Sequence, residues 1–424
     1  MFRELNVPVF DMVMCLSKAM DLVNPIVVNH QLRVAYIAFK IGEELKLPKE
    51  TLDNIVTAGA IHDAGAMSLK EKMEILNFEA EAVNQHALLG YHLLKTFPFF
   101  TKIAPIVKFH HACWSDGLGR ELNGEKVPMG SHILHLADRV DTLIDKTWPA
   151  LEHVSGVCEK IKSESGKLFV PEYVEAFVRL AKKEYFSADV VSPELKNILK
   201  KSANLNVIPL NLDGLLELGR LFARIIDFRS RFTATHTSGV AACAEALSEI
   251  AGFSKNESKR MKVAGYLHDL GKLAIPSEIL EKPGKLEPWE FDIIRFHTYH
   301  TYRTLEMIDG LEDINCYASF HHERLDGNGY PFHYSKDELP FGSRIMAVAD
   351  VFTAITEDRP YRAGMTADKA LATLESMASV NALDQKIVAL VRENYEQMSR
   401  IRIAAQTAAT LEYQAFWDEI DKNR

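Results

Sequence analysis

The sequence predicts an all-α protein built from two tandem helical domains, on three observations. Apolar residues recur at the three-and-four spacing of helices, and no alternating run is long enough to propose a sheet. Clusters such as Lys282-Pro283-Gly284-Lys285 and Asp326 to Pro331 interrupt the helical stretches as loops. Most telling, one set of histidines and aspartates occurs twice at matching intervals, the signature of an internal repeat. His30 and His62-Asp63 are 32 residues apart, as are His236 and His268-Asp269. His86 to His110-His111 and His297 to His321-His322 are both 24. Asp138 follows His111 by 27 residues, and Asp350 follows His322 by 28. Ten of the 16 histidines fall on the two sets, which makes chance a poor explanation.

The elements follow in order. Val34 to Leu47 and Val240 to Phe253 carry apolar residues at helical spacing, the first ending at Pro48 and the second at Ser254, read as a cap. Leu52 to Ile61 and Ser258 to Leu267 lead straight into the two His-Asp pairs. Further helical stretches follow each closing aspartate, Glu172 to Phe186 in the first copy and Ala367 to Met377 onward in the second. The stretch 188–212 holds Pro193, Pro209 and several Asn and Ser, and no motif residue. It is assigned as a linker between a first domain at 1–187 and a second at 213–424. The tail from Glu393 is a long helical pattern, expected to pack on its own domain, with a homodimer contact as the alternative.

A chain of 424 residues exceeds one small core, and 47% hydrophobic with 25% charged residues is ordinary for a globular protein. No apolar run reaches the roughly 18 residues of a membrane span, and the N-terminus lacks the basic and apolar regions of a signal peptide. Five scattered cysteines without a CxxC pair read as thiols in a reducing compartment, so a cytoplasmic location is expected. The formal charge of −9 argues against binding long nucleic acid. It leaves room for a small anionic ligand, since Lys272, Lys282, Lys285, Arg324, Arg344, Arg359 and Arg362 lie in or beside the motif segments.

Five histidines and two aspartates per copy are what a binuclear metal site needs. The absence of thiolates suits iron, manganese or another octahedral first-row ion better than structural zinc. In the second copy Asp269 is the natural bridge between two divalent ions about 3.5–4 Å apart. One ion would take His236, His268, Asp269 and Asp350, and the other Asp269, His297, His321 and His322. A hydroxide activated between them would attack a phosphodiester in line. Lys272, three residues after Asp269 on a continuing helix, would offset charge on the phosphorane.

This constellation resembles the HD superfamily of metal-dependent phosphohydrolases and, more narrowly, its HD-GYP family. The likeness spans roughly Phe228 to Met377. It rests on His268-Asp269-Leu270-Gly271-Lys272, His321-His322-Glu323-Arg324, Gly329-Tyr330-Pro331 and Asp358-Arg359-Pro360-Tyr361-Arg362, in that order. The resemblance implies an all-helical phosphodiesterase acting on a cyclic dinucleotide, cyclic di-GMP or cyclic GMP-AMP. It implies phosphate contact by Lys272, substrate contact by Arg359 and Arg362, and a pocket edge shaped by Tyr330. Three positions depart from the family's pattern. Phe232 stands where some members carry a third-metal Glu, Thr353 where an Asp is usual, and Thr301 where a Gly is usual. Two metals are therefore expected.

The first copy keeps His30, His62, Asp63, His86, His110, His111 and Asp138. It has Ala66 in place of the lysine and Gly117-Leu118-Gly119-Arg120 in place of the Gly-Tyr-Pro turn. It is expected to be degenerate and regulatory, with a second metal set that does not hydrolyse. The competing reading for the whole chain is a signalling scaffold that binds cyclic dinucleotide or protein partners without turnover. Retention of Lys272 and of the turn speaks against it.

Overall fold

The computed structural model describes residues 5–22, 28–66, 84–144, 154–205, 208–228, 235–282, 284–358 and 362–422. These residues are helical almost throughout, with two pairs of two-residue strands, Val7–Pro8 against Pro209–Leu210 and Glu121–Leu122 against Glu125–Lys126. Among them no helix is long and apolar enough to cross a membrane. The chain divides into two units, residues 16–208 and residues 1–15 with 209–424.

This division corrects the linker. Within 188–212, Leu195–Ala203 is a helix whose Leu195, Leu199 and Ala203 are buried, and it packs on the helix His30–Glu44. A stripe one residue wide among lysines, Ser and Asn is enough to seat a short helix, and composition alone hides it. The break falls at Ile208, and the first residues pair with the C-terminal unit through the Val7–Pro8 strand.

In the N-terminal unit the helices His30–Glu44, Lys49–Ala60 and Met129–Leu143 form the core around the first motif set. In the C-terminal unit His236–Ile250 packs against Lys255–Leu267, Phe341–Thr356 and the tail helix Tyr395–Lys422. Both cores repeat one close contact. A Cβ on Gly59 would stand 2.8 Å from Ala35 Cα, and one on Gly265 would stand 2.5 Å from Ala241 Cα. Glycine is what lets the helix leading into each His-Asp pair lie against the helix carrying the first histidine.

Two local expectations are revised. Ser254 starts a helix rather than ending one: its hydroxyl accepts from Glu257 N–H, and the Glu257 carboxylate accepts from Ser254 N–H, a reciprocal cap. The helix before Asp269 stops at Leu267 and continues as a 3-10 turn, Leu270–Ala274. Gly271 there lies against the next helix so closely that a Cβ would stand 1.9 Å from His297 O. Lys272 thus reaches Asp269 across a turn and not along a helix face.

Candidate metal centre

How a histidine presents its nitrogens depends on where it sits on its helix. His268 and His321 lie just past helix ends, where the last carbonyls lack helical partners. Their Nδ1 atoms lie 2.8 Å from Gly265 O and 2.6 Å from Ala318 O, and His297 Nδ1 lies 2.7 Å from Ile294 O. Each such ring donates Nδ1–H to a carbonyl and turns a bare Nε2 inward. His236 is different. It opens its helix and has no preceding helical turn, so its Nδ1 lies 3.1 Å from both oxygens of Glu357.

The inward atoms converge. His236 Nε2 is 3.1 Å from Asp350 Oδ1, and His268 Nε2 is 3.1 Å from Asp269 Oδ2. The other oxygen of Asp269 faces His297 Nε2 at 3.5 Å, so this one carboxylate points in two directions. His322 joins His297 and His321 in a three-imidazole group whose ligating atoms lie within 4.8 Å of one another, as do those of His236, His268 and Asp350. All seven residues expected from the sequence therefore meet in one place. Six of them are buried and His322 is half-buried.

The donor set fits divalent metal. His297 Nε2 and His321 Nε2 stand 3.3 Å apart, while both rings give their Nδ1 protons to carbonyls. Two lone pairs facing each other in a buried site call for a cation between them. Burial holds both imidazoles neutral, His297 at about 3 and His321 well below the ordinary value. Burial also pushes Asp269 up, but His268 and Lys272 beside it outweigh this and keep the carboxyl well below its usual range. His236 loses charge to burial and regains it from Glu357 and Asp350, rising to about 10.

Lys272 Nζ sits 2.6 Å from Asp269 Oδ2. The Gly-Tyr-Pro turn is held by Glu323, whose carboxylate accepts from Phe332 N–H at 2.7 Å and Tyr334 N–H at 3.1 Å. A Cβ on Gly329 would stand 2.4 Å from Arg324 N, so the turn admits only glycine there. Tyr330 lies with its ring 4.9 Å from His322, and the Arg295 guanidinium covers it at 4.7 Å. Three of the other cations near the motifs are tied elsewhere: Lys282 to Glu290, Arg324 to Asp326, Arg344 to Asp384. Arg362 donates to Ala354 O, and Arg359 and Phe232 lie outside the described residues. Thr301, where glycine is usual, donates to His268 O and accepts from Gly271 N–H, tying the His-Asp turn to the His297 helix. Sequence reading missed Glu357, Glu323 and Arg295. Glu357 carried a faint signal, an acid one residue before Asp358-Arg359-Pro360, and Arg295 a fainter one, two residues before His297.

The first copy assembles its set as well. His86 Nε2 is 3.1 Å from His110 Nε2 and 3.2 Å from His111 Nε2, and Asp63 Oδ1 is 3.3 Å from His86 Nε2. His30 Nε2, His62 Nε2, Asp63 Oδ1 and Asp138 Oδ1 are buried without a hydrogen-bond partner. Arg139, which follows Asp138, places Nη2 2.6 Å from Asp138 Oδ2.

The sequence model of the HD domain family matches this chain twice, at residues 14–173 and 220–387. Over 414 residues, 95% of each chain, the sequence is 31% identical to the 3'3'-cGAMP-specific phosphodiesterase 1 of Vibrio cholerae. It is 38% identical over 162 residues to a cyclic di-GMP phosphodiesterase response regulator of Xanthomonas campestris, which is 37% of this chain and 42% of that one. A crystal structure of a cyclic GMP-AMP-specific phosphodiesterase of Vibrio cholerae shares the fold, with a TM-score of 0.64 at 24% identity over 92% of this chain and 98% of that chain.

Proposed function

The chain belongs to the HD domain family, in its HD-GYP branch, and on that premise we propose that its C-terminal copy is a metal-dependent phosphodiesterase that opens a cyclic dinucleotide. The observation that carries this is the convergence of five imidazoles and two carboxylates on one point, with Asp269 offering an oxygen to each side. Two divalent ions, iron or manganese, suit such a set. When bound, they supply Lewis acidity and an activated water for in-line attack on phosphorus.

The chain's own residues do the rest. Asp269 would hold the ions together with His236, His268 and Asp350 on one side and His297, His321 and His322 on the other. Carbonyl contacts to Nδ1 hold three of these rings in the ligating tautomer. Lys272 brings a cation beside the carboxylate, where negative charge builds on the phosphoryl oxygens. Tyr330, with Arg295 over it, forms the edge against which a base stacks. Arg359 and Arg362 are the further substrate contacts, and Arg362 would exchange its bond to Ala354 O for phosphate. In the reaction one oxygen–phosphorus bond forms, one ester bond breaks, and the released sugar oxygen takes a proton, leaving a linear dinucleotide.

3'3'-cyclic GMP-AMP is the first substrate, because the relative named for it matches 95% of the chain, and cyclic di-GMP is the second. The N-terminal copy holds metal without hydrolysing. Four buried ligand atoms without hydrogen-bond partners favour metal there, and Ala66 leaves that site without a counterpart of Lys272. The test is turnover by the full chain with Mn²⁺ or Fe²⁺ and each of three nucleotides. Linear product from cyclic GMP-AMP is expected. Cleavage of cyclic di-GMP alone would reverse the substrate order, cleavage of dGTP alone would reassign the enzyme, and cleavage of none would make the protein a scaffold.

A further inference from the structure

The two copies orient their first histidine by different means. In the N-terminal copy His30 Nδ1 is 2.7 Å from Asp141 Oδ2, three residues beyond Asp138. Arg33, one turn after His30, holds that carboxylate through Nε and, at 3.2 Å, Nη2. The unit is thus His–Asp–Arg, and all three residues lie on the two helices that carry His30 and Asp138.

The C-terminal copy has neither partner. Three residues after Asp350 stands Thr353, and its hydroxyl is turned back to Ala349 O at 2.8 Å. Three residues after His236 stands Gly239. The carboxylate comes instead from Glu357, one turn further along, at the end of the helix Phe341–Thr356. Its partner comes from the tail helix. Gln406 Nε2 donates to Glu357 Oε2 at 2.8 Å, and Arg402 Nη1 donates to Gln406 Oε1 at 2.6 Å. Glu357, Gln406 and Arg402 are 4%, 8% and 8% exposed, so this carboxylate is held among buried polar groups rather than by solvent. Gly239 makes the arrangement fit. A Cβ there would stand 3.0 Å from Gln406 Nε2 and 3.0 Å from Thr353 Cγ2, so an Arg33-like side chain would crowd the tail glutamine.

Five positions therefore make up the exchange: Thr353 and Gly239 stand where the first copy has Asp141 and Arg33, and Glu357 with Gln406 and Arg402 of the tail takes over their role. We propose that Glu357 is the positioning carboxylate of His236, and that Gln406 and Arg402 make the tail helix Tyr395–Lys422 a working part of the catalytic copy. A carboxylate on Nδ1–H fixes the ring, leaves Nε2 free to ligate and makes it more basic. A buried carboxylate is in turn costly unless its own lone pairs are met, and the tail supplies that. The inference rests on the metal reading of this site.

The test uses the full chain carrying Asp63→Ala, so that retained metal reports the C-terminal set. Mn²⁺ affinity is measured by metal analysis after equilibrium dialysis, beside thermal unfolding in chelator. Glu357→Ala is expected to weaken Mn²⁺ binding about 10- to 100-fold with unfolding in chelator little changed, a split that a merely structural role would not give. Gln406→Ala weakens it by less. Adding Thr353→Asp to Glu357→Ala, which restores a carboxylate where the N-terminal copy has Asp141, recovers part of the lost affinity. Parent-like Mn²⁺ affinity in Glu357→Ala overturns the proposal while leaving the metal site standing. No gain from Thr353→Asp overturns the exchange. A parent chain that retains no Mn²⁺ overturns the metal reading, and this proposal with it.

Discussion

At the scale of single residues, the site is governed by where each imidazole proton goes. Carbonyls accept the Nδ1–H of His268, His297 and His321, a carboxylate accepts that of His236, and the four Nε2 atoms turn into the site. In the C-terminal copy Lys272 lies against a carboxylate of the site, 2.6 Å from Asp269 Oδ2. Its effect should be electrostatic, growing with the charge on the phosphoryl oxygens. Lys272→Met is expected to lower kcat by about 100-fold or more while the chain still retains Mn²⁺, measured by turnover and metal analysis on one preparation. An unchanged kcat would remove Lys272 from the chemistry. Its identity was legible in the sequence, because a His-Asp pair followed by Gly-Lys is a compact signal. Its route was not. The turn that follows the helix end at Leu267 sets Gly271 against His297 O, a contact between separate segments that local pattern does not reveal.

At the scale of elements, the contact that positions both His-Asp pairs is glycine on alanine, Gly59 on Ala35 and Gly265 on Ala241. Gly265→Ala would force a Cβ to 2.5 Å from Ala241 Cα, with both helices shifting to relieve it. Such overpacking typically costs about 1–3 kcal/mol. Because Gly265 O also accepts from His268 Nδ1, Mn²⁺ affinity should fall with stability. A lowered Tm together with weaker Mn²⁺ binding is the expected pair, and an unchanged Tm would show that the helices do not need this approach. Helices with long apolar periodicity were readable in advance, as was the duplication, because matched histidine intervals survive where other positions drift. The helix Leu195–Ala203 was not readable, since three buried side chains in nine residues carry little periodic signal. Nor was the role of the tail. Gln406 and Arg402 gain meaning only once Gly239 and Thr353 are seen beside them.

At the scale of the whole molecule, one ancestral unit has become two with different equipment. The N-terminal copy keeps the seven histidines and aspartates of the motif, lacks the lysine and the Gly-Tyr-Pro turn, and sets Arg139 on Asp138. The C-terminal copy keeps the lysine and the turn, and recruits its tail to steady His236. Division of labour follows from the chemistry: a buried ligand set can hold ions without turning over if nothing meets the charge of the reacting phosphate. The most direct check is metal content and cyclic GMP-AMP cleavage, measured together on the full chain, on Asp63→Ala and on Asp269→Ala. With two ions per copy, each substitution should remove one copy's ions, and Asp269→Ala should also abolish cleavage. An Asp269→Ala chain that still retains the ions of the C-terminal copy and still linearises cyclic GMP-AMP would contradict the account.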